Sequence, residues 1–197
     1  MKVLSVSAIV IIIDQISKLM VKGISISYFG FNISGLARWQ KISILGRVFN
    51  ITFVENPGIA FGINLGNNFK LLISVFTLVA TLGLLYYIFR NREKKLIFRL
   101  SLALILGGAV GNLIDRTFYG VIFGYAPLFY GKVVDFLDLR IFNLFIFNRT
   151  FNNYVFNFAD VSVTAGVILL LFILNKQKNT NNNLNSNIEE ALVENKD

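Results

Sequence analysis

Carboxylates are the groups in this chain best placed to do chemistry. None of the 197 residues is a cysteine or a histidine, which removes thiol nucleophiles, imidazole bases, disulfides and Cys/His metal sites together. Glu189, Glu190, Glu194 and Asp197 fall in a polar C-terminal tail, and Glu93 falls in a strongly basic segment. Asp14, Glu55, Asp115, Asp135, Asp138 and Asp160 remain. Asp160 directly precedes the uninterrupted apolar segment Val161 to Leu174, where a carboxylate is costly unless a site uses or pairs it. The aromatic run from Val133 to Asp160 carries Asp135 near its start and Asp160 at its end. Two such carboxylates, if they meet, share a proton and can activate water.

The elements that must bring them together are membrane helices. With 55% hydrophobic and 15% charged residues, the composition is wrong for an ordinary soluble domain. The apolar residues cluster into runs of about 20, the length a bilayer requires. Spans are expected at about residues 3–21, 71–89, 96–114 and 154–174. The first run resembles a signal peptide, but Asp14 and Lys18 interrupt it and no A-x-A site follows, so it is read as a retained helix. Between the first two spans, glycines and Pro57 punctuate short β-branched and aromatic pieces, the pattern of a small β-containing extramembrane platform. Trp39, Phe49, Phe53 and Phe61 are expected in its interfacial belt.

Arg90, Arg92, Lys94, Lys95 and Arg99 form the densest basic cluster, which places that loop and both termini in the cytoplasm. The net charge of +8 belongs to such flanks, so it gives no case for nucleic acid. From residue 176 the chain becomes Asn-rich and polar. Such a tail buries little, so disorder is expected and the functional unit is taken as residues 1–175.

This orientation brings Asp14, Asp115 and Asp160 to similar depths near the outer boundary. At about 1.5 Å per residue, Asp14 lies about 10 Å below the outer end of its helix. Asp14 and Lys18 share a helical face in the favourable order; the plain alternative to a site role is an ion pair that lets Lys18 snorkel. Ser17 and Lys18 are helix neighbours that face apart, which argues against a Ser/Lys peptidase. Gly107, Gly108, Ala109 and Gly111 permit close helix contact. Packing does not account for Asn112, Asp115 and Arg116. Asp135 and Asp138 share a side if their segment is helical, but not if it is extended. Asn157, three residues before Asp160, shares its helical face and can donate toward it.

D-Q-I-S-K at Asp14–Lys18, N-P-G-I-A-F at Asn56–Phe61, G-G-A-V-G-N-L-I-D-R at Gly107–Arg116, V-V-D-F at Val133–Phe136 and F-N-F-A-D at Phe156–Asp160 occur in this order. Together these blocks resemble the lipoprotein signal peptidases (signal peptidase II), four-helix membrane aspartyl proteases of bacteria. The resemblance implies a mainly α membrane fold with a catalytic dyad of Asp135 and Asp160. It implies substrate-binding or site-supporting roles for Asp14, Lys18, Asn56, Gly58, Gly108, Asn112, Asp115, Arg116, Asn157 and Ala159, with Arg116 expected as the partner of Asp115. The implied substrate is a prolipoprotein carrying a diacylglyceryl-modified cysteine, cut on the amino side of that cysteine. The enzyme is expected in the bacterial inner membrane among lipids, as a monomer, with no cofactor and its site near the outer face. One departure is the long stretch Asp138 to Tyr154. Two other readings stay open: a small transporter with Asp14, Asp115 and Asp160 as an acidic relay, and an assembly protein built on the Gly-rich helix.

Overall fold

A computed structural model describes residues 2–26, 30–46, 48–58, 67–140, 144–146, 149–151 and 154–194. Helix α1 spans Leu4–Lys22, α2 Asn67–Arg90 and α3 Leu96–Ile114, the last continuing through a π-helical turn, Asp115–Tyr119, into the short α4, Gly120–Ile122. Helix α5 spans Phe158–Glu194. Four of the helical stretches are long and apolar enough to cross a bilayer: Leu4–Lys22, Asn68–Arg90, Leu96–Ile122 and Phe158–Thr180. Their burial is inverted relative to a soluble bundle. Ile9, Ile12, Ile16 and Met20 on α1, Phe76 and Val79 on α2 and Phe172 on α5 are more than half exposed, whereas Ser7, Asp14, Lys18, Ser101 and Asp115 are enclosed. An apolar solvent rewards that arrangement, because only the interior can satisfy polar groups.

The strands gather at one end of the helices. A hairpin of β1 (Ile24–Ile26) and β2 (Phe31–Ile33) follows α1. A four-stranded sheet has the order β3 (Lys41–Leu45), β4 (Phe49–Asn56), β5 (Val133–Leu139), β8 (Tyr154–Phe156), antiparallel throughout. Strands β6 (Leu144–Ile146) and β7 (Arg149–Phe151) form a separate hairpin within the long stretch after Asp138. Every span meets this end with the terminus nearest the sheet: α1 and α3 run into it, α2 and α5 run out of it. Val21, Phe53, Tyr119, Val134, Phe136 and Leu137 form the apolar plug beneath the sheet. A second cluster, Val3, Ile88, Leu102, Ala103 and Leu106, closes the opposite end.

Several expectations change. Tyr154–Phe156 pairs with Leu137–Leu139 as a strand, so the last span begins at Phe158 rather than near 154. Phe53 is buried in the plug instead of facing an interfacial belt; Trp39 is exposed and Phe61 lies outside the described residues. Helix α5 continues through the Asn-rich stretch to Glu194, where composition argues against order.

Helix α3 is the hub, packed on α1 and α5 through its glycines. A methyl group at Gly108 would overlap the Ala159 carbonyl oxygen, one at Gly107 would press on Val10, and one at Gly111 would meet the Asp14 carboxylate. Small residues let backbones approach closely, and here the approach brings acids of three helices together.

The orientation is open to a direct check. Because the chain lacks cysteine, Arg92→Cys and Leu128→Cys, both at exposed positions, should react with an impermeant thiol reagent from opposite sides of the membrane. Labelling of both from one side would overturn the arrangement.

Candidate active site

The site begins with how α5 starts. Asn157 precedes the helix, and its Oδ1 accepts from the Asp160 N–H at 3.0 Å, while Asp160 Oδ2 accepts from the Asn157 N–H at 3.2 Å. This is a reciprocal capping box with Asn at the cap and Asp at the third helical position. The pairing of Asn157 with Asp160 therefore arises from a cap, not from a shared helical face. A third N–H of this first turn, that of Ala159, donates to Asp14 Oδ1 of α1 at 2.9 Å.

The same Asn157 reaches the second carboxylate. Its Nδ2 donates to Asp135 Oδ1 at 2.7 Å, so one asparagine holds Asp160 by its main chain and Asp135 by its side chain. Asp135 Oδ2 accepts from Asn56 Nδ2 at 3.1 Å, and Asp160 Oδ1 accepts from Asn112 Nδ2 at 2.8 Å. All four oxygens of the two aspartates thus have donors. Asn56 is aimed by its own turn, in which the Gly58 N–H donates to Asn56 Oδ1 at 2.9 Å. Gly58 sits at φ +89°, a conformation that glycine adopts without strain.

Beneath the pair lies Lys18, fully enclosed. Its ammonium spends its three donors on Asp14 Oδ2 at 2.7 Å, Asp115 Oδ2 at 2.9 Å and Asn112 Oδ1 at 2.9 Å. That last bond orients Asn112: the oxygen must face the ammonium, which turns the amide nitrogen toward Asp160. Asp115 also accepts from the Val134 N–H at 3.1 Å, tying the helix end to β5 next to Asp135. Gln15 Nε2 bridges Asp115 Oδ1 at 2.9 Å and the Gly111 carbonyl at 3.0 Å, and its oxygen accepts from the Tyr119 hydroxyl at 3.1 Å.

Two expectations are corrected here. Asp115 pairs with Lys18, not with Arg116, because successive residues of a helical turn point apart. Arg116 acts on Asp115, Asp135 and Asp160 through its charge rather than through a short contact. Lys18 does not snorkel, since carboxylates at its own depth satisfy it. Strand β5 is extended, so Asp138 lies on the face opposite Asp135, enclosed and paired with Arg140 at 3.1 Å and Lys41 at 3.5 Å. Ser17 donates to the Ile13 and Asp14 carbonyls of its own helix, so it forms no nucleophile with Lys18. Gly108 and Ala159 supply the close α3–α5 contact above. Gln15 and Tyr119 were not singled out from the sequence; the signal was a second polar residue beside Asp14 in an otherwise apolar run.

Electrostatically, burial and then the neighbouring Asp160 charge push Asp135 up to about 7, against the pull of the Asn56 and Asn157 amides. A polytopic helical bundle that holds two carboxylates under a small sheet has the groups that a membrane-embedded aspartic peptidase needs.

The comparisons give the particular family. The family described as signal peptidase (SPase) II matches residues 6–176. A lipoprotein signal peptidase of Moorella thermoacetica is 38% identical over 174 residues, covering 88% of this chain and 93% of that protein. One from Amoebophilus asiaticus is 35% identical over 190 residues, covering 86% and 76%. A bacterial membrane enzyme solved by the in meso method at 1.9 Å is 27% identical with a TM-score of 0.64, covering 88% of this chain and 92% of that one. The chain belongs to the signal peptidase II family. The two named relatives are signal peptidases and the solved structure is an enzyme, so the transporter reading finds no counterpart among them.

The buried cluster sets a stability expectation. Lys18→Met would leave Asp14 and Asp115 enclosed without a counter-charge, a change that costs about 3–5 kcal/mol. Lys41→Met, at a partly exposed pair in which Asp138 keeps Arg140, should cost no more than about 1 kcal/mol. Unfolding in detergent compares them; equal stability of the two variants would contradict the role given to Lys18.

Proposed function

We propose that this chain is a lipoprotein signal peptidase in which Asp135 and Asp160 form the catalytic dyad. The observation that carries the reading is Asn157, which binds both carboxylates at once. The pair holds one proton. Burial and the Asp160 charge keep it on Asp135, leaving the negative charge on Asp160, at the positive end of α5 and beneath two N–H donors. Asp160 removes a proton from a water as its oxygen attacks the scissile carbonyl carbon. Asp135 hydrogen-bonds the developing oxyanion, then gives its proton to the leaving nitrogen as the C–N bond breaks. The proton taken by Asp160 restores the shared proton of the pair.

The substrate this site suits is a prolipoprotein whose cysteine carries a diacylglyceryl group, cut on the amino side of that cysteine. Acyl chains can remain in lipid between the helices while the peptide lies across the sheet end, where Asn56 and Gly58 border the dyad. The basic loop at Arg90–Lys95 supports an orientation with both termini in the cytoplasm of a bacterial cell and the site at the outer face of the inner membrane. Residues 1–175 carry the activity, and the Asn-rich end takes no part.

Purified protein with a synthetic diacylglyceryl prolipoprotein peptide tests the dyad. Asp135→Asn and Asp160→Asn should each lower kcat by at least about a hundredfold while retaining the fold; cleavage at the normal rate by either folded variant would refute the assignment.

The wild-type pH profile follows from Asp135. Activity needs its proton, so kcat/KM should fall as pH rises through about 7. The folded state also keeps a proton that the unfolded chain, with an ordinary value of 3.8, releases. The stability contributed by this group is therefore present at low pH and lost between these two values. A rate still climbing above pH 8 would contradict the proton assignment.

A further inference from the structure

Outside the dyad network, one ionic cluster joins three separate segments at the sheet end. Glu55, on β4, pairs through Oε1 with Lys22 at the end of α1 and through Oε2 with Lys132 just before β5, the latter at 3.1 Å. The Lys22 side chain is only 9% exposed and Glu55 13%. The Lys22 ammonium lies 4.4 Å from the Phe123 ring and 5.3 Å from those of Phe53 and Tyr125. The Lys132 ammonium is 5.0 Å from the Tyr125 ring, and its backbone N–H donates to the Tyr125 hydroxyl at 2.9 Å.

The place of this cluster in the sheet gives it a consequence. Strand β3 pairs with β4 only as far as Thr52, with one further bond from the Trp39 N–H to the Phe53 carbonyl. Beyond that point, among the described residues, the β4 ladder rests on β5 alone, in the rungs Val54↔Asp135, Glu55↔Val134 and Asn56↔Val133. Those rungs hold Asp135 and its donor Asn56. An aromatic-walled ion pair with both lysines anchors them from the other side of the strand, to α1 and to the start of β5.

We propose that Glu55 is a positioning residue for the dyad: by clamping Lys22 and Lys132 it fixes the last rungs of β4 and β5 and so holds the Asn56 amide on Asp135. This rests on the dyad reading above. Burial raises the Glu55 carboxyl, but Lys22 and Lys132 outweigh it and hold the carboxyl below its ordinary value, so the clamp stays charged at neutral pH. The groups facing Glu55 are Lys22, Lys132 and Tyr125. Those acting on Asp135 are Asp160, Lys18, Arg116, Asn56 and Asn157.

Kinetics of Glu55→Gln, Asn56→Ala and the double variant test this. Glu55→Gln should lower kcat about 10- to 100-fold through misplacement of a catalytic group, with KM little changed. Its alkaline limb should move to higher pH, because the Asn56 donor favours ionised Asp135 and its loosening favours the proton by more than the lost Glu55 charge, which alone would move the limb to lower pH, opposes it. Asn56→Ala should move the limb the same way, the double variant should be no slower than the worse single one, and Glu55→Asp should recover part of the rate. If Glu55→Gln does not fold, Lys132→Gln, which removes one of the two pairs, replaces it in the same cycle. Multiplying losses, an unmoved alkaline limb or a wild-type kcat would overturn the positioning role. Asp135→Asn is measured alongside: if it is inactive, such a result sinks only the role of Glu55, whereas full activity of Asp135→Asn sinks the dyad itself.

Discussion

The structure depends on a single enclosed ammonium. Lys18 sits where neither water nor lipid headgroups reach it, and a charge so placed is tolerated only with partners that use all its donors. Asp14 and Asp115 neutralise it, and Asn112 takes the third bond. Each partner also belongs to another contact. Asp14 caps α5 through the Ala159 N–H, Asp115 holds β5 through the Val134 N–H, and Asn112 donates to Asp160. Three helices and the strand bearing Asp135 are thereby fixed to one point.

From that point the asymmetry of the two aspartates follows. Asp160 is a helix-capping residue, built into the first turn of α5. Asp135 stands on a strand in the plug, with two amide donors but heavy burial. Neither could be moved without disturbing an element that has its own reason to be where it is. The glycines of α3 complete the arrangement, since a side chain at Gly108 or Gly111 would separate the helices at the level where the acids converge.

Much of this was legible in the sequence. The basic loop gives an expected orientation, and that expectation with helix rise puts Asp14, Asp115 and Asp160 at a common depth before any contact is known. The five motif blocks name nearly every residue that touches the dyad. The rest needed three dimensions. That Asp115 turns to Lys18 instead of the adjacent Arg116 follows from helix neighbours facing apart and from the packing of α1 beside it, and no pattern in residue types announces that packing. The start of α5 was misplaced because Tyr154–Phe156 is as apolar as a helix; its pairing with Leu137–Leu139 decides the matter. Extension of β5 turns Asp138 to the face opposite Asp135, and a short apolar run cannot announce that in advance. Glu55 is one of the six candidate carboxylates, but its partners are hidden in the sequence because its two lysines are 33 and 77 residues away in the chain.

The central claim is that the two aspartates are one acid and one base sharing a proton at neutral pH. Infrared titration of the purified protein with isotope-labelled aspartate reads this directly. The account predicts a protonated carboxyl band that persists to about pH 7 and is absent from Asp135→Asn. Loss of that band in the ordinary carboxylate range, or its survival in Asp135→Asn, would contradict it.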